Sequence, residues 1–181
     1  MAEEKIDALL ELLKQRKFTQ VYDELKEMRP EDIAPLFEQI DMQDAVKLFR
    51  LLPKSLAADT FVEMDSEHQQ KLIEAFSDTE LKAMLDEMYV DDTVDIIEEM
   101  PANVVRRILR QSDAQTRKNI NEILNYPSDS AGSIMTVEYV DLHRGMTVSK
   151  ALDHIKKTGL DKETVYTCYV IDRDRHLEGI V

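Results

Sequence analysis

The chain has 181 residues and a formal net charge of −14 at pH 7, from 37 acidic and 23 basic side chains. This balance argues against nucleic acid or an anionic membrane surface as a partner, and it favours cations or basic protein surfaces. The single cysteine, Cys168, excludes an intrachain disulfide and fits a reducing cytosol. No basic leader and no apolar run of about eighteen residues occurs, so we expect neither a signal peptide nor membrane insertion by this segment.

Helical periodicity begins near the N-terminus. The segment Lys5–Lys14 predicts a first helix, and Phe18–Met28 predicts a second one. The apolar residues of the first segment fall on one face, which indicates an amphipathic helix packed on its neighbours: Ile6, Leu9, Leu10 and Leu13.

A twelve-residue repeat follows, with an apolar residue at each of seven successive steps: Met28, Ile40, Leu52, Met64, Phe76, Met88 and Met100. Residues three, four and seven places before each step are also mostly apolar, which describes one stripe of an amphipathic helix. Cap residues or acids follow most steps, as at a helix N-terminus. Because helices this short are not stable alone, we predict a superhelix of short stacked helices whose hand the sequence leaves open. An irregular bundle with coincidental spacing is the alternative.

The repeat continues beyond Met100 and then ends. Pro101 is expected to start a helix that runs through Leu109, and Ser112 with Asp113 is expected to cap a last one. Residues 126–135 contain a proline, a glycine and several small polar residues, which predict a linker. The sequence thus predicts a helical-repeat domain over residues 1–125.

Residues 136–181 have a different pattern, typical of a partial α+β unit. The order is a strand, a helix, and two more strands: Val137–Leu142, Val148–Lys157, Val165–Ile171 and Leu177–Val181. We expect the helix to bury the side that carries Val148, Ala151, Leu152 and Ile155. Since the unit stops within a strand, we expect the rest of a parent chain or a partner to complete its sheet.

Several motifs resemble the MgtE-type magnesium transporters. The segment 129–136 (DSAGSIMT), with 146–148 (MTV), 169–172 (YVID) and 177–181 (LEGIV), is similar to the linker and first CBS motif of that family. The segments 51–54 (LLPK) and 88–95 (MYVDDTVD), with Ala57 and Ala58, resemble its N-terminal superhelical domain.

The resemblance implies a cytosolic, Mg²⁺-sensing regulatory portion of a homodimeric inner-membrane Mg²⁺ channel. In that family the N domain docks onto the CBS domain and closes the pore when Mg²⁺ is abundant. The implied partners are Mg²⁺ and the parent's own CBS and membrane domains, at the cytoplasmic face of the membrane. We therefore expect a soluble fragment that is not an enzyme.

Asp91 and Asp95 are the strongest candidate ligands. Both are expected roughly 150–190° away from the apolar stripe of their helix, one turn apart on its outer face. Like charges at this spacing repel, and a divalent cation between them reverses the sign of that interaction. Oxygen-only ligands suit Mg²⁺, Ca²⁺ or Mn²⁺. The alternative is that Asp91 only caps the helix and Asp95 faces solvent.

The resemblance extends this set. It places Asp91 and Asp95 at positions where the family binds Mg²⁺ between its N and CBS domains. Asp59 matches a further such position, where the family can carry Glu instead. Ser133 matches a linker position that offers its backbone carbonyl.

Other ligands and functions are less well supported by the sequence. The four histidines lack zinc-ligand spacing, and no nucleophile–base pair suggests catalysis. CBS motifs often bind adenine nucleotides, but a stacking aromatic is wanted near Thr167, so nucleotide binding stays open. The alternative function is a helical-repeat adaptor that binds a protein or peptide, with the CBS motif as a dimerisation module.

Overall fold

The computed structural model describes residues 2–181, so Met1 of the predicted helical domain lies outside the described residues. Ten α-helices come first in this part of the chain: α1 (Ala2–Lys14), α2 (Phe18–Leu25), α3 (Pro30–Glu38), α4 (Met42–Leu51), α5 (Lys54–Val62), α6 (Ser66–Ala75), α7 (Asp78–Leu85), α8 (Val90–Glu99), α9 (Ala102–Gln111) and α10 (Ala114–Ile123). None of the described helices is long and apolar enough to cross a membrane.

A smaller α+β segment follows the helices. Its elements are a 3₁₀ helix (Ala131–Ile134), β1 (Tyr139–His143), α11 (Val148–Thr158), a second 3₁₀ helix (Gly159–Asp161), β2 (Thr164–Ile171) and β3 (Leu177–Ile180). The first 3₁₀ helix lies inside the segment that the sequence predicts to be only a linker. The described chain divides into two units: residues 2–88 with 92–120, and residues 89–91 with 121–181.

The first unit buries the repeat as the sequence predicts. The residues three places before the seven repeat positions are at most 8% exposed, and those seven places before are at most 5% exposed. The helices from α2 to α7 pack on the helix two places along: α3 on α5 and α5 on α7 in one row, and α2 on α4 and α4 on α6 in the other. The predicted superhelix of short helices is therefore confirmed, with alternate helices stacked in two rows.

Side-chain caps explain why these helices begin where they do. Asp41 accepts a hydrogen bond from the Asp44 amide at 3.0 Å, and Asp65 accepts one from the His68 amide at 2.8 Å. Ser77 and Glu80 form a reciprocal capping box at the start of α7. These three caps are separated by 24 and 12 residues, in step with the repeat, and they fix the starts of α4, α6 and α7.

The second unit contains a three-stranded sheet in the order β1-β2-β3. Strand β1 pairs in parallel with β2, and β2 pairs antiparallel with β3. The core of the sheet consists of Val140, Leu142 and Cys168, with Ala151 and Ile155 of α11 packed against it. The cysteine is thus a buried apolar side chain.

One sequence expectation for α11 is wrong in part. Ala151 and Ile155 do face the core, but Val148 is 77% exposed and Leu152 is 50% exposed. The apolar stripe of α11 is wider than the face that the three strands cover. Among the described residues, nothing buries its outer half.

An arginine that the sequence pattern did not single out links three helices of the first unit. Arg107 of α9 donates through its guanidinium to the carbonyl oxygens of Ile73 and Phe76, at the C-terminal end of α6. Its Nε also lies 3.1 Å from Asp78 Oδ1, at the start of α7. A cation at a helix C-terminus satisfies carbonyls that have no partner within the helix.

We predict that Arg107→Met lowers the free energy of unfolding of the helical unit by about 2 kcal/mol. Hydrogen bonds from a charged donor typically contribute this much to stability. Methionine keeps much of the apolar stem, so the loss reports the guanidinium contacts. Urea unfolding followed by far-UV circular dichroism measures the difference.

The matched control is Arg110→Met on the same helix. Arg110 also contacts Asp78, at 3.3 Å, but its side chain is 69% exposed. We expect a change of about 0.5 kcal/mol or less for this control. An equal loss in both variants contradicts the assigned role of Arg107.

Candidate metal centre

Helix α8 concentrates negative charge. Half of its ten residues are acidic and none is basic: Asp91, Asp92, Asp95, Glu98 and Glu99. The helix forms nevertheless, because its apolar stripe is buried at Val94, Ile96 and Ile97. Packing of that stripe therefore holds several carboxylates on the remaining faces, where they repel each other.

Within the second unit, which includes Val90 and Asp91 at the start of α8, Glu138 is a carboxylate that sequence reasoning missed. The Glu138 Oε2 atom accepts a hydrogen bond of 2.8 Å from the amide of Val90, the first residue of α8. Glu138 is itself held by its own amide, which donates to Thr136 Oγ1 at 3.0 Å. Glu138 thus caps the helix from a distant part of the sequence.

The electrostatics around Glu138 favour an added positive charge. Partial burial raises the pKa of the Glu138 carboxyl, and the nearby carboxylates of Asp91 and Glu163 raise it further. The Val90 amide and the Lys162 ammonium act in the opposite direction. Asp91 is half-buried, and its Oδ1 atom is closed off from solvent. A carboxyl with a raised pKa beside a second, half-buried carboxylate is a pair that a divalent cation can stabilise.

In the first unit, Asp95 faces a shallow depression. The depression measures about 160 Å³, and its acidic lining consists of Asp92, Asp95 and Glu99 of α8. Gln69 of α6 completes one side, with its amide donating to the Phe61 carbonyl at 2.9 Å. Asp95 itself is exposed. The three carboxylates of the depression offer oxygen ligands, which hard cations such as Mg²⁺ prefer.

The remaining two candidates have different surroundings. Asp59 is exposed on α5 of the first unit, but neighbouring protein atoms remove part of the solvent around its carboxyl and thereby raise its pKa. Ser133 lies in the first 3₁₀ helix of the second unit, where its Oγ donates to the carbonyls of Ser128 (2.7 Å) and Ser130 (2.9 Å). The hydroxyl of Ser133 therefore stabilises the turn, while its carbonyl is the group that the resemblance assigns as a ligand.

Sequence reasoning missed some of these residues for identifiable reasons. Asp92, Asp95 and Glu99 share a helix face at spacings of three and four residues, so a helical projection of α8 could have grouped them. Glu138 offered no such signal, because its partner at Val90 is 48 residues away in the sequence.

One other group of possible ligands occurs within residues 2–181, in the turn between β2 and β3. The ligand atoms of Asp172, Asp174 and His176 lie within 4.8 Å of one another. Asp172 accepts hydrogen bonds from the amides of Asp174 and His176 at 2.8 and 2.9 Å. These bonds shape a tight turn and account for the proximity of the three side chains.

Comparison with known proteins gives a consistent result. The family model described as "MgtE intracellular N domain" matches residues 28–129. The chain is 29% identical to the magnesium transporter MgtE of Thermus thermophilus and 27% identical to that of Bacillus subtilis, over 100% and 98% of its length. It spans only 41% and 39% of those two relatives.

Two solved structures are also similar to this chain. One is described as the cytosolic domain of the Mg²⁺ channel MgtE in complex with ATP, with a TM-score of 0.86, 28% identity, and coverage of 97% of this chain and 72% of that one. The other is described as the soluble part of a magnesium transporter, with a TM-score of 0.86, 26% identity, and coverage of 100% and 72%.

The raised pKa of Glu138 predicts a pH dependence of stability in the absence of divalent cations. Above the ordinary value of 4.5, the folded state retains a proton that the unfolded state has released. The stability of the second unit should therefore fall as pH rises from 4.5 through the raised pKa, and stay lower above it. Glu138→Gln keeps an acceptor for the Val90 amide and removes the charge.

We expect Glu138→Gln to raise the melting temperature at pH 7 in EDTA and to flatten the pH dependence in that window. Glu122→Gln, an exposed carboxylate of the same unit, is the control and should change neither. A lower melting temperature for Glu138→Gln at pH 7, with the control unchanged, contradicts the electrostatic account.

Proposed function

Since that family model matches more than half of the chain, the chain belongs to the MgtE family, and we propose that it is the Mg²⁺-sensing regulatory part of a magnesium transporter. The observation that carries the proposal is the grouping of carboxylates at α8. Asp95 shares a depression with Asp92 and Glu99, and Asp91 lies beside Glu138.

Mg²⁺ is the cation that such sites suit in a chain of this family. It binds through one or two carboxylates and keeps several of its waters, so it does not need a closed cage of protein ligands. Each ion would offset the repulsion between neighbouring carboxylates. Mn²⁺ and Ca²⁺ also prefer oxygen ligands, so either can stand in for Mg²⁺.

The proposed ligand residues have separate roles. Asp91 and Asp95 are the central ligands, and Asp59 adds a carboxylate from α5. The backbone carbonyl of Ser133 supplies an oxygen from the linker segment. The side chain of Asp59 is shorter than the glutamate that the family can carry at this position. It therefore suits contact with the ion through a water molecule rather than direct coordination.

The regulatory step is the docking of the helical domain, residues 1–125, onto the CBS region that begins at residue 136. At low Mg²⁺ the acidic surfaces repel each other, and the helical domain moves on the linker, residues 126–135. At high Mg²⁺ several weakly bound ions stabilise the docked state and thereby close the pore of the parent transporter. The population shifts only by the difference in affinity between the two states, so several ions must act together.

The proposal also implies where this chain lies in the cell and which parts of the parent protein adjoin it. The parent spans the membrane with segments outside this chain, and this portion lies at its cytoplasmic face. Exposed apolar side chains of the second unit, such as Val148 and Tyr166, are suited to the rest of the CBS region and to a homodimer contact. No catalytic role is proposed, because relatives in this family are transporters.

Nucleotide binding is not included in the proposal. One similar solved structure is described as a complex with ATP. In this chain the position where an adenine-stacking aromatic side chain is wanted is Thr167. The exposed neighbour Tyr166 is the aromatic side chain next to it.

A helical-repeat adaptor is the second candidate function. Two stacked rows of short helices and a CBS motif with exposed apolar residues are typical of modules that bind proteins. The two functions differ in their response to Mg²⁺, since an adaptor does not need the α8 carboxylates.

We predict that Asp91→Asn combined with Asp95→Asn abolishes Mg²⁺-dependent protection of the linker, residues 126–135, from proteolysis. Asparagine keeps the shape of the side chain but removes the charge that attracts the ion. Limited digestion by a broad-specificity serine protease, with and without millimolar Mg²⁺ at matched ionic strength, measures the cleavage rate.

The control variant removes the same number of charges outside α8, with Glu27→Gln and Glu38→Gln at exposed positions. It should retain Mg²⁺-dependent protection. Protection that persists in the Asp91/Asp95 variant, or that fails equally in both variants, argues against the proposed ligands and favours the adaptor.

A further inference from the structure

An apolar pocket opens on the first unit, away from the carboxylates of α8. Its floor consists of Phe49, Leu52, Phe76 and Met84, each between 4 and 8% exposed. The rings of Phe49 and Phe76 lie 5.1 Å apart, centroid to centroid. The cavity measures about 190 Å³, which is enough for one aromatic ring with a short chain.

Two alanines open this pocket at positions where the repeat usually carries a larger residue. Ala57 occupies the position seven places before a repeat step, where five of the six other repeats carry a larger residue and one carries Ala45. Ala83 occupies the position five places before a step, where other repeats have Lys47, Asp59, Lys71 or Asp95, among others. Because α5 packs on α7, both gaps fall on the same pocket.

The rim of the pocket carries an excess positive charge. Arg50 donates to Glu80, with Nε 2.6 Å from Oε1. The Ser77 amide and hydroxyl also donate to Glu80, at 2.8 and 2.7 Å, so this carboxylate is fully engaged. These contacts lower the pKa of Glu80 to about 2, which keeps it charged and in place.

Lys54 is the group at the rim that remains available. The lysines at positions 14, 26, 47, 71 and 82 each form an ion pair with an acid three or four residues away. Lys54 is exposed and has no such pair among residues 2–181. In a chain with 37 acidic residues, an unpaired ammonium beside an apolar cavity is chemically suited to a ligand's carboxylate.

We propose that this pocket binds a small monocarboxylate with one ring or a comparably short apolar tail. The tail lies on Phe49 and Phe76 between the two alanines, and the carboxylate pairs with Lys54. Apolar walls with a few oriented polar groups are the usual composition of small-molecule sites. The charge on Lys54 selects an acid over a neutral or cationic analogue of the same shape.

The probe for this site is 3-phenylpropionate, added to ¹⁵N-labelled protein. We expect saturable amide shift changes at millimolar concentrations, confined to residues around the pocket. The neutral analogue 3-phenylpropan-1-ol should bind about three- to fivefold more weakly, because it lacks the contribution that a solvent-exposed ion pair makes to affinity. The amine 3-phenylpropylamine should bind more weakly still.

Two variants test the pocket itself. Ala57→Leu places in the cavity a side chain of the size that other repeats carry, so the chain should fold normally and lose binding. Lys54→Met should weaken binding of the acid to the level of the alcohol, whereas Lys47→Met, on the neighbouring helix, should not. Thermal melting of each variant checks that the fold is kept.

The inference fails if 3-phenylpropionate causes no saturable shifts at the pocket, or if folded Ala57→Leu binds it as the original chain does. It also fails if the acid and the alcohol bind equally. None of these outcomes depends on Mg²⁺, so they are distinct from a failure of the proposed Mg²⁺ sensing.

Discussion

Repulsion between carboxylates held on one short helix is the interaction on which the functional account depends. Helix α8 keeps five acidic side chains because Val94, Ile96 and Ile97 anchor its other side in the core. Asp91 and Asp92 lie near the positive end of the helix dipole, whereas Glu98 and Glu99 lie at the negative end and gain nothing from it. We therefore expect bound cations to stabilise this helix, because they offset the repulsion between its carboxylates.

The twelve-residue repeat provides the rigidity. A helix of two or three turns buries one stripe and cannot persist alone. Alternate helices therefore stack in two rows, and cross-links such as Arg107 join the end of one helix to the start of the next. Because the repeat defines which kind of residue is expected at each position, residues that differ from it in size or charge point to a possible site. Ala57 and Ala83 open a pocket where larger residues would close it, and Asp95, Glu98 and Glu99 of α8 occupy exposed positions.

The sequence predicted the helical part well because its information is local. Apolar spacing of three, four and seven residues follows directly from helix geometry, and every residue three or seven places before a repeat step is buried as predicted. The outer half of α11 was predicted incorrectly because an apolar stripe indicates burial without naming what covers it. Val148 and Leu152 have no covering element among the described residues.

The candidate site was only partly accessible to sequence reasoning. Asp91 and Asp95 follow from helical spacing and from the family resemblance. Glu138 does not, because its hydrogen bond to Val90 joins distant parts of the chain, and a strand pattern carries no signal for such a contact. Arg107 was missed for the same reason, since its acceptors are backbone carbonyls, which have no sequence signature.

The central claim is that divalent cations bind to specific carboxylates at α8 and not merely to an acidic surface. The most direct measurement is an NMR titration of the ¹⁵N-labelled chain with Mg²⁺ at constant ionic strength. The account predicts saturable amide shift changes in the millimolar range, concentrated in residues 90–99 and around Ser133 and Glu138. Small, non-saturating shifts spread evenly over all acidic helices are what a diffuse ion atmosphere produces, and they would contradict it.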